Sequence, residues 1–395
     1  MTEGAVSDTT PRNAIRFVLA AWTGFTVLIA TLIVLIPLRM VELGFGIDSI
    51  SAVVAAAGVG GFLSAEAIGR AAGRFGAVRL LRAGLVTMGI SVLLIGVFEG
   101  LAPLLILHAT VGVATSAIRV GSQLVVRNRV AETHRGRVHG LQGATNRTMM
   151  LVAPVLVGIA WERLRPQWSF ALPVIVSAAL LLAAGRLSVQ PVAQQRSGGA
   201  GMPLARMARY SMGPILFNAA RAGRMLLLPL FGLELDLSAS QIGLLIGLTS
   251  ATDVLVSPIS GLVMDRRGRM ATIIPTFTLM ASGFVVLAVA DSAWVVAIAA
   301  AVLGLGNGFS AGLLLTIGTD LAPTGFEGPF LGRFGALSDI GRLVGPFLVG
   351  VLGESLGLSV AAIVLAGVTV AGLAAMIILI GETRPGGEPS TIHAH

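Results

Sequence analysis

Ten ionisable residues interrupt stretches of sequence that are otherwise apolar: Glu66, His108, Arg119, Arg147, Arg221, Arg224, Asp253, Arg333, Asp339 and Arg342. Charge inside hydrocarbon is expensive, so each of these must find a partner or meet a polar guest. Arg221 and Arg224 are three apart with Asn218 one turn earlier, which puts two cations and an amide donor on one helical face. Guanidinium groups so placed suit a carboxylate or another anion, gripped through paired donors. The alternative is that they pair with Asp253, Asp339 or backbone carbonyls. Six arginines stand against three carboxylates in this set, and that excess favours an anionic cargo. Arg119, Trp22 and Asn307 complete the candidate binding set.

The carboxylates suggest a second kind of chemistry. In an apolar setting a carboxyl that loses its arginine favours the protonated form, which makes Asp253, Asp339 and Glu66 candidate proton carriers. Arg147 follows Arg137 by ten residues and Asp253 precedes Asp265 by twelve. At ~1.5 Å per helical residue both lie about 15 to 18 Å in from the same side. Equal depth allows an ion pair that either separates during a working cycle or only fixes packing. Asp339 and Arg342, three apart, share a helical face and can satisfy each other or reach Glu66. His108 reads better as a packing residue than as a proton shuttle.

Elements able to hold these groups must cross a membrane. The chain has 395 residues, is 55% hydrophobic and only 12% charged, and all of its 27 cations are arginine. So little charge cannot cover a soluble core, and no basic domain gathers the arginines into a nucleic-acid surface. The absence of cysteine excludes disulfides and thiolate chemistry. No nucleophile and base set or metal-ligating cluster stands out, so neither an enzyme nor a cofactor or metal is expected. No ATP-binding loop is visible, which leaves an ion gradient or facilitated diffusion as the driving force.

Twelve apolar stretches are long enough to span roughly 30 Å of hydrocarbon. They run over Ile15–Leu38, Ile50–Ala71, Leu80–Phe98, Ala102–Val125, Gly140–Trp161, Trp168–Leu187, Ser211–Leu233, Ser240–Met264, Ala271–Ala290, Ala293–Ile317, Pro329–Leu352 and Leu358–Ile380. Eighteen loop arginines fall on the side of the amino terminus and only Arg39, Arg163 and Arg165 on the other, which predicts both termini in the cytoplasm. The expected organisation is a disordered segment 1–13, a six-helix bundle 14–189, a cytoplasmic linker 190–209 containing "QQRSGGAG", a second bundle 210–381 and a cytoplasmic tail 382–395.

The halves are copies of one another. Sliding the sequence by 192 residues aligns Pro37 with Pro229, Glu42 with Glu234, Gly69 with Gly261, Arg74 with Arg266, Gly76 with Gly268, Gly143 with Gly335, Pro154 with Pro346 and Gly158 with Gly350, without a gap. Fused repeats of this sort suit carriers that rock about a central site.

After the eighth stretch come Gly261, Asp265, Arg266, Gly268 and Arg269. This run resembles the signature loop of the major facilitator superfamily, a glycine followed four residues later by Asp-Arg and then Gly-Arg. The first half carries a worn copy in Gly69, Arg74, Gly76 and Arg79, with Gly73 in place of the aspartate. The resemblance implies an all-α fold of twelve transmembrane helices in two pseudo-twofold-related six-helix bundles. It implies that the first, fourth, seventh and tenth helices line a cavity while the second, fifth, eighth and eleventh meet across the halves. The signature aspartate is then expected to bind the amino end of a neighbouring helix and act as a gate. The functional expectation is proton-coupled efflux of a small organic molecule by a monomer in the inner membrane, in contact with lipid, with uptake of an organic anion as the alternative. A membrane enzyme or lipid scramblase is a remote third.

Overall fold

The computed structural model describes residues 11–185, 202–323 and 327–383, and among them every regular element is a helix. The first half contains α1 (Pro11–Glu42), α2 (Ile47–Phe75), α3 (Ala77–Ile95), α4 (Leu101–Arg129), α5 (Glu132–Arg163) and α6 (Pro166–Ala183). The second contains α7 (Leu204–Glu234), α8 (Ala239–Arg267), α9 (Met270–Ala288), α10 (Ala293–Phe309), α11 (Leu313–Leu321), α12 (Glu327–Ser338), α13 (Gly341–Leu356) and α14 (Leu358–Ala375), with a π-helical turn Met376–Ile380 at its end. α10 with α11, and α12 with α13, are the two parts of the tenth and eleventh crossings.

The 192-residue repeat reappears at the helix ends. It carries Ile47–Phe75 onto Ala239–Arg267, Pro166–Ala183 onto Leu358–Ala375, and Leu101–Arg129 onto the limits of α10 and α11 together. The repeat breaks in the inner parts of two spans. α4 is continuous, whereas the tenth crossing turns at Gly312, whose φ of 77° is open to glycine but strained for residues with a Cβ. α5 runs through Arg147, whereas the eleventh crossing is interrupted at Asp339 and Ile340, between α12 and α13.

Eleven helices among the described residues are long and apolar enough to cross a membrane. α7 falls outside that set because Asn218, Arg221 and Arg224 lower its hydropathy, and it can tolerate them because it is surrounded by α13, α14, α10 and α1. Several ends differ from the composition-based boundaries. Residues 11–13 begin α1 and residues 204–209 begin α7, since arginine is a good helix former and the apolar stretch alone underestimates each helix. Glu382 and Thr383, placed beyond the second bundle in the expected cytoplasmic tail, are hydrogen-bonded to the body. Arg186, Arg196 and Arg384, used for orientation, lie outside the described residues.

Within the first half α1 packs on α5 and α6, and α4 on α2 and α3; in the second, α7 packs on α13 and α14, and α10 on α8 and α9. Two seams join the halves, α5 against α8 and α2 against α13. Both are close because the repeated glycines lie in them. A Cβ on Gly158 would meet the backbone of Ala239 and Ser240, and one on Gly350 would meet Ser51. The seams close only on the face opposite the termini, called outer below. There α13 packs on α2, whereas its inner continuation α12 packs chiefly on α7 and α11 of its own half. Inner parts of α2 and α8 are correspondingly exposed, as at Phe62, Leu63, Leu255 and Leu262. The molecule is therefore open toward the face that carries its termini.

Candidate functional site

Two ion pairs sit where the seams part. Arg147 Nε on α5 lies 3.7 Å from Asp253 Oδ1 on α8, and the other carboxylate oxygen of Asp253 accepts from Asn307 Nδ2 on α10 at 2.6 Å. On the other seam Arg119 Nη1 on α4 lies 3.3 Å from Asp339 Oδ2, whose second oxygen is 3.0 Å from Arg342 Nε. Each carboxylate thus carries charge across the interface and is also tied to its own half. Arg147 and Asp339 occupy equivalent positions of the repeat, so the same site in the two halves bears opposite charge.

Arg221 is the exception. It is half-buried on α7, stacks 5.4 Å from the Phe217 ring centroid, and forms no ion pair among the described residues. It nevertheless feels Asp253, Arg147 and Asp339 together, and Arg342 in turn feels Arg221. It therefore faces the space between the two pairs with a positive charge that no carboxylate engages directly.

Arg224 does not share this role, although it is only three residues away. It is 1% exposed, donates through Nη1 to Leu303 O at 3.1 Å, and leaves Nε without a partner. Three residues are a rotation of about 60° from the same face, enough to turn Arg224 into the contact with α10. Asn218 is also withdrawn, since its Nδ2 donates to Ser338 O at 2.9 Å and ties α7 to the end of α12. Trp22 Nε1 donates to Gln142 O at 3.0 Å, so its polar edge joins α1 to α5. Asn307 acts through Asp253 and keeps Oδ1 unpartnered. Glu66 stands exposed on α2 and joins neither Asp339 nor Arg342, because the inner seam it would bridge is open. Arg333 is exposed on α12. His108 Nδ1 lies 2.6 Å from Val53 O, which can only accept, so the proton sits on Nδ1 and the ring fastens α4 to α2.

The signature loop is built differently from expectation. Gly268 makes the turn from α8 to α9 with φ 90°. Asp265 and Arg266 are exposed at the end of α8, and Gly261 has open space where a side chain would stand. Among the described residues Asp265 caps no helix. The amino end of α9 is capped instead by Glu382, which accepts from Arg269 N at 2.9 Å and Met270 N at 3.0 Å. Arg269 grips Asp320 at the end of α11 with two hydrogen bonds, Nε at 2.8 Å and Nη2 at 3.2 Å, and Thr383 donates to the same carboxylate. The Asp320 hydrogen bond and then its charge move the Arg269 guanidinium above its ordinary range.

Sequence reasoning missed Asp320 and Glu382, and it missed Glu162, which accepts from Ser240 N across the seam. Asp320 has asparagine 128 as its repeat counterpart, so alignment of the halves hides it. Glu162 aligns with Glu354, a coincidence visible in the sequence.

The sequence matches the profile of the Major Facilitator Superfamily over residues 17–208 and 211–394. A protein named as an MFS-type transporter of Mycobacterium tuberculosis is 30% identical over 42% of this chain and 24% of its own length. The multidrug resistance protein MdtG of Yersinia enterocolitica is 30% identical over 37% of this chain and 36% of its own. The chain thus aligns with only about a quarter to a third of the length of these curated relatives. One crystal structure of the nucleoside transporter NupG superposes with TM-score 0.77 at 13% identity, covering 93% of this chain and 99% of that one. A POT family transporter in complex with 5-aminolevulinic acid gives 0.75 at 11% identity, covering 96% and 98%. With twelve crossings in two repeated halves and a family match over nearly its whole length, this multi-pass membrane chain belongs to the Major Facilitator Superfamily.

Proposed function

We propose that the chain is a secondary transporter that moves an anionic, carboxylate-bearing small molecule by alternating access, exporting it in exchange for protons. The observation that carries the anion assignment is Arg221, a mid-span cation without an ion-pair partner among the described residues, set between two arginine–carboxylate clusters. A carboxylate arriving there neutralises a charge that is costly in this setting and gains paired donors. Such a guest also competes with Asp253 and Asp339 for the surrounding arginines. Proton binding to a released carboxyl would then couple the two flows. Asp253 is the foremost proton carrier in this scheme, since its loss frees both Arg147 and Asn307.

Export is the reading that the name of the Yersinia relative, a multidrug resistance protein, supports; uptake of the same anion is the second reading, supported by the cationic site alone. The asymmetry of loop arginines supports an inner-membrane location with cytoplasmic termini. The test begins with a thermal-shift panel of mono- and dicarboxylates on purified protein, followed by transport of the best hit into inverted and right-side-out vesicles with proton release recorded. Arg221→Gln is expected to weaken that hit at least tenfold, the order of one lost charge-assisted contact. Unchanged affinity in the folded variant removes the anion site, and transport without proton movement removes the coupling.

A further inference from the structure

At the outer end of each seam a glutamate of one half holds the first turn of a helix of the other. Glu162 Oε1, at the end of α5, accepts from Ser240 N of α8 at 2.7 Å, beside the hydroxyls of Ser238 and Ser240. Glu354 Oε2, near the end of α13, accepts from Ile47 N of α2 at 2.9 Å. The two contacts are one contact repeated, since the 192-residue shift carries Glu162 onto Glu354 and Ile47 onto Ala239, the neighbour of Ser240. At α2 the glutamate also replaces a missing cap. The N-cap there is Gly46, which has no side chain to offer, and the Glu354 carboxylate lies 3.1 Å from where a Cβ at that position would stand. The first N–H groups of a helix have no intrahelical partner and carry the positive end of its dipole, so an anion there is bound by both hydrogen bond and charge.

We propose that Glu162 and Glu354 are positioning residues of the transport cycle: twin clasps that hold the outer gate shut, each closing one half of the carrier onto the helix ends of the other. They lie at the rim of the seams, outward of Ser51, Ser250 and the midplane ion pairs, so they must part before the outer face can open. Both are exposed to water, which replaces the bond readily and keeps the clasp reversible. The assignment does not depend on the cargo or the coupling ion, and it stands if Arg221 binds nothing.

The chain has no cysteine, which makes single-thiol labelling direct. Ser51→Cys and Ser250→Cys report the two seams, at 1% and 8% exposure. In detergent-purified protein each is expected to react slowly with a soluble maleimide. Glu354→Gln is expected to raise the rate at position 51, and Glu162→Gln the rate at position 250, by roughly two- to fivefold. Ser240→Pro removes the donated N–H itself at a first-turn position that tolerates proline, and it should reproduce Glu162→Gln. Combined with Glu162→Gln it should add nothing further, which a general loosening of the fold would not give. Glu42→Gln, which breaks a pair with Arg39 inside the first half, serves as the control and should leave both rates unchanged. Monodisperse Glu162→Gln and Glu354→Gln proteins with unaltered labelling, or an equal rise in the control, overturn the proposal.

Discussion

Two arginines that look alike in the sequence part company in the fold. Arg221 and Arg224 share residue type, helix and neighbourhood, yet one faces the space between the halves and the other is sealed against the backbone of α10. The spacing revealed that both were costly; which one was spent on packing depended on a rotation that only the neighbouring helix could fix. Arg224→Gln should therefore lower thermal stability while sparing affinity for carboxylates, the reverse of Arg221→Gln, and thermal melts with and without ligand separate the two. The ion pair between Arg147 and Asp253 was accessible to reasoning because depth can be counted from helix ends. The pairing of Asp339 with Arg342 was equally legible from their three-residue spacing, whereas its second partner, Arg119 of the other half, was not, because that contact depends on how the halves meet. Asp339→Asn alone leaves Arg119 and Arg342 without their carboxylate, and because all three side chains are more than a third exposed it should lower folded yield only modestly, on the order of 1 kcal/mol. Adding Arg119→Gln should recover part of that yield, measured as monodisperse protein by size exclusion.

Among the elements, the repeat made most of the architecture readable, since aligned glycines such as Gly158 and Gly350 mark equivalent close approaches of the two halves. What it could not reveal is where the copies have diverged. Asp320, Glu382 and Arg269 form a latch at the inner end of the second half, and the first half has Asn128 and Ala77 at two of the equivalent positions. The latch should be indifferent to pH through the arginine. Its folded pKa is raised, so its contribution is complete below the ordinary arginine range and fades only above it. Asp320→Asn should loosen α11 and the segment after the π-helical turn, seen as faster amide exchange confined to those elements. Slower or unchanged exchange there would show that the bidentate bond is incidental.

For the molecule as a whole, the two-bundle plan follows from composition, repeat and signature loop, but the direction in which it stands open does not. The family resemblance implied which helices meet; the balance between two closed faces is a small difference between similar contact sets. A labelling gradient along α2 checks the observed state. Glu66→Cys, on the exposed inner part, should react at least about tenfold faster than Ser51→Cys on the sealed outer part, as expected when one site needs a local opening and the other does not. Equal rates would mean that the ensemble is not dominated by the inner-open form.

The interruptions at Gly312 and at Asp339 and Ile340 make the two bundles mechanically unlike. The first half has unbroken helices, α4 and α5, where the second has knees, and the knee at Asp339 lies among the charged groups of the midplane. Sealing the inner mouth would then be done by flexion of α11 and α12 about a comparatively stiff first half, and not by two equal shells tilting together. Spin-label distances measured between α4 and α5 should stay fixed through the cycle while those from α11 or α12 to α10 spread, so that a carrier built from a near-perfect duplication would breathe on one side only.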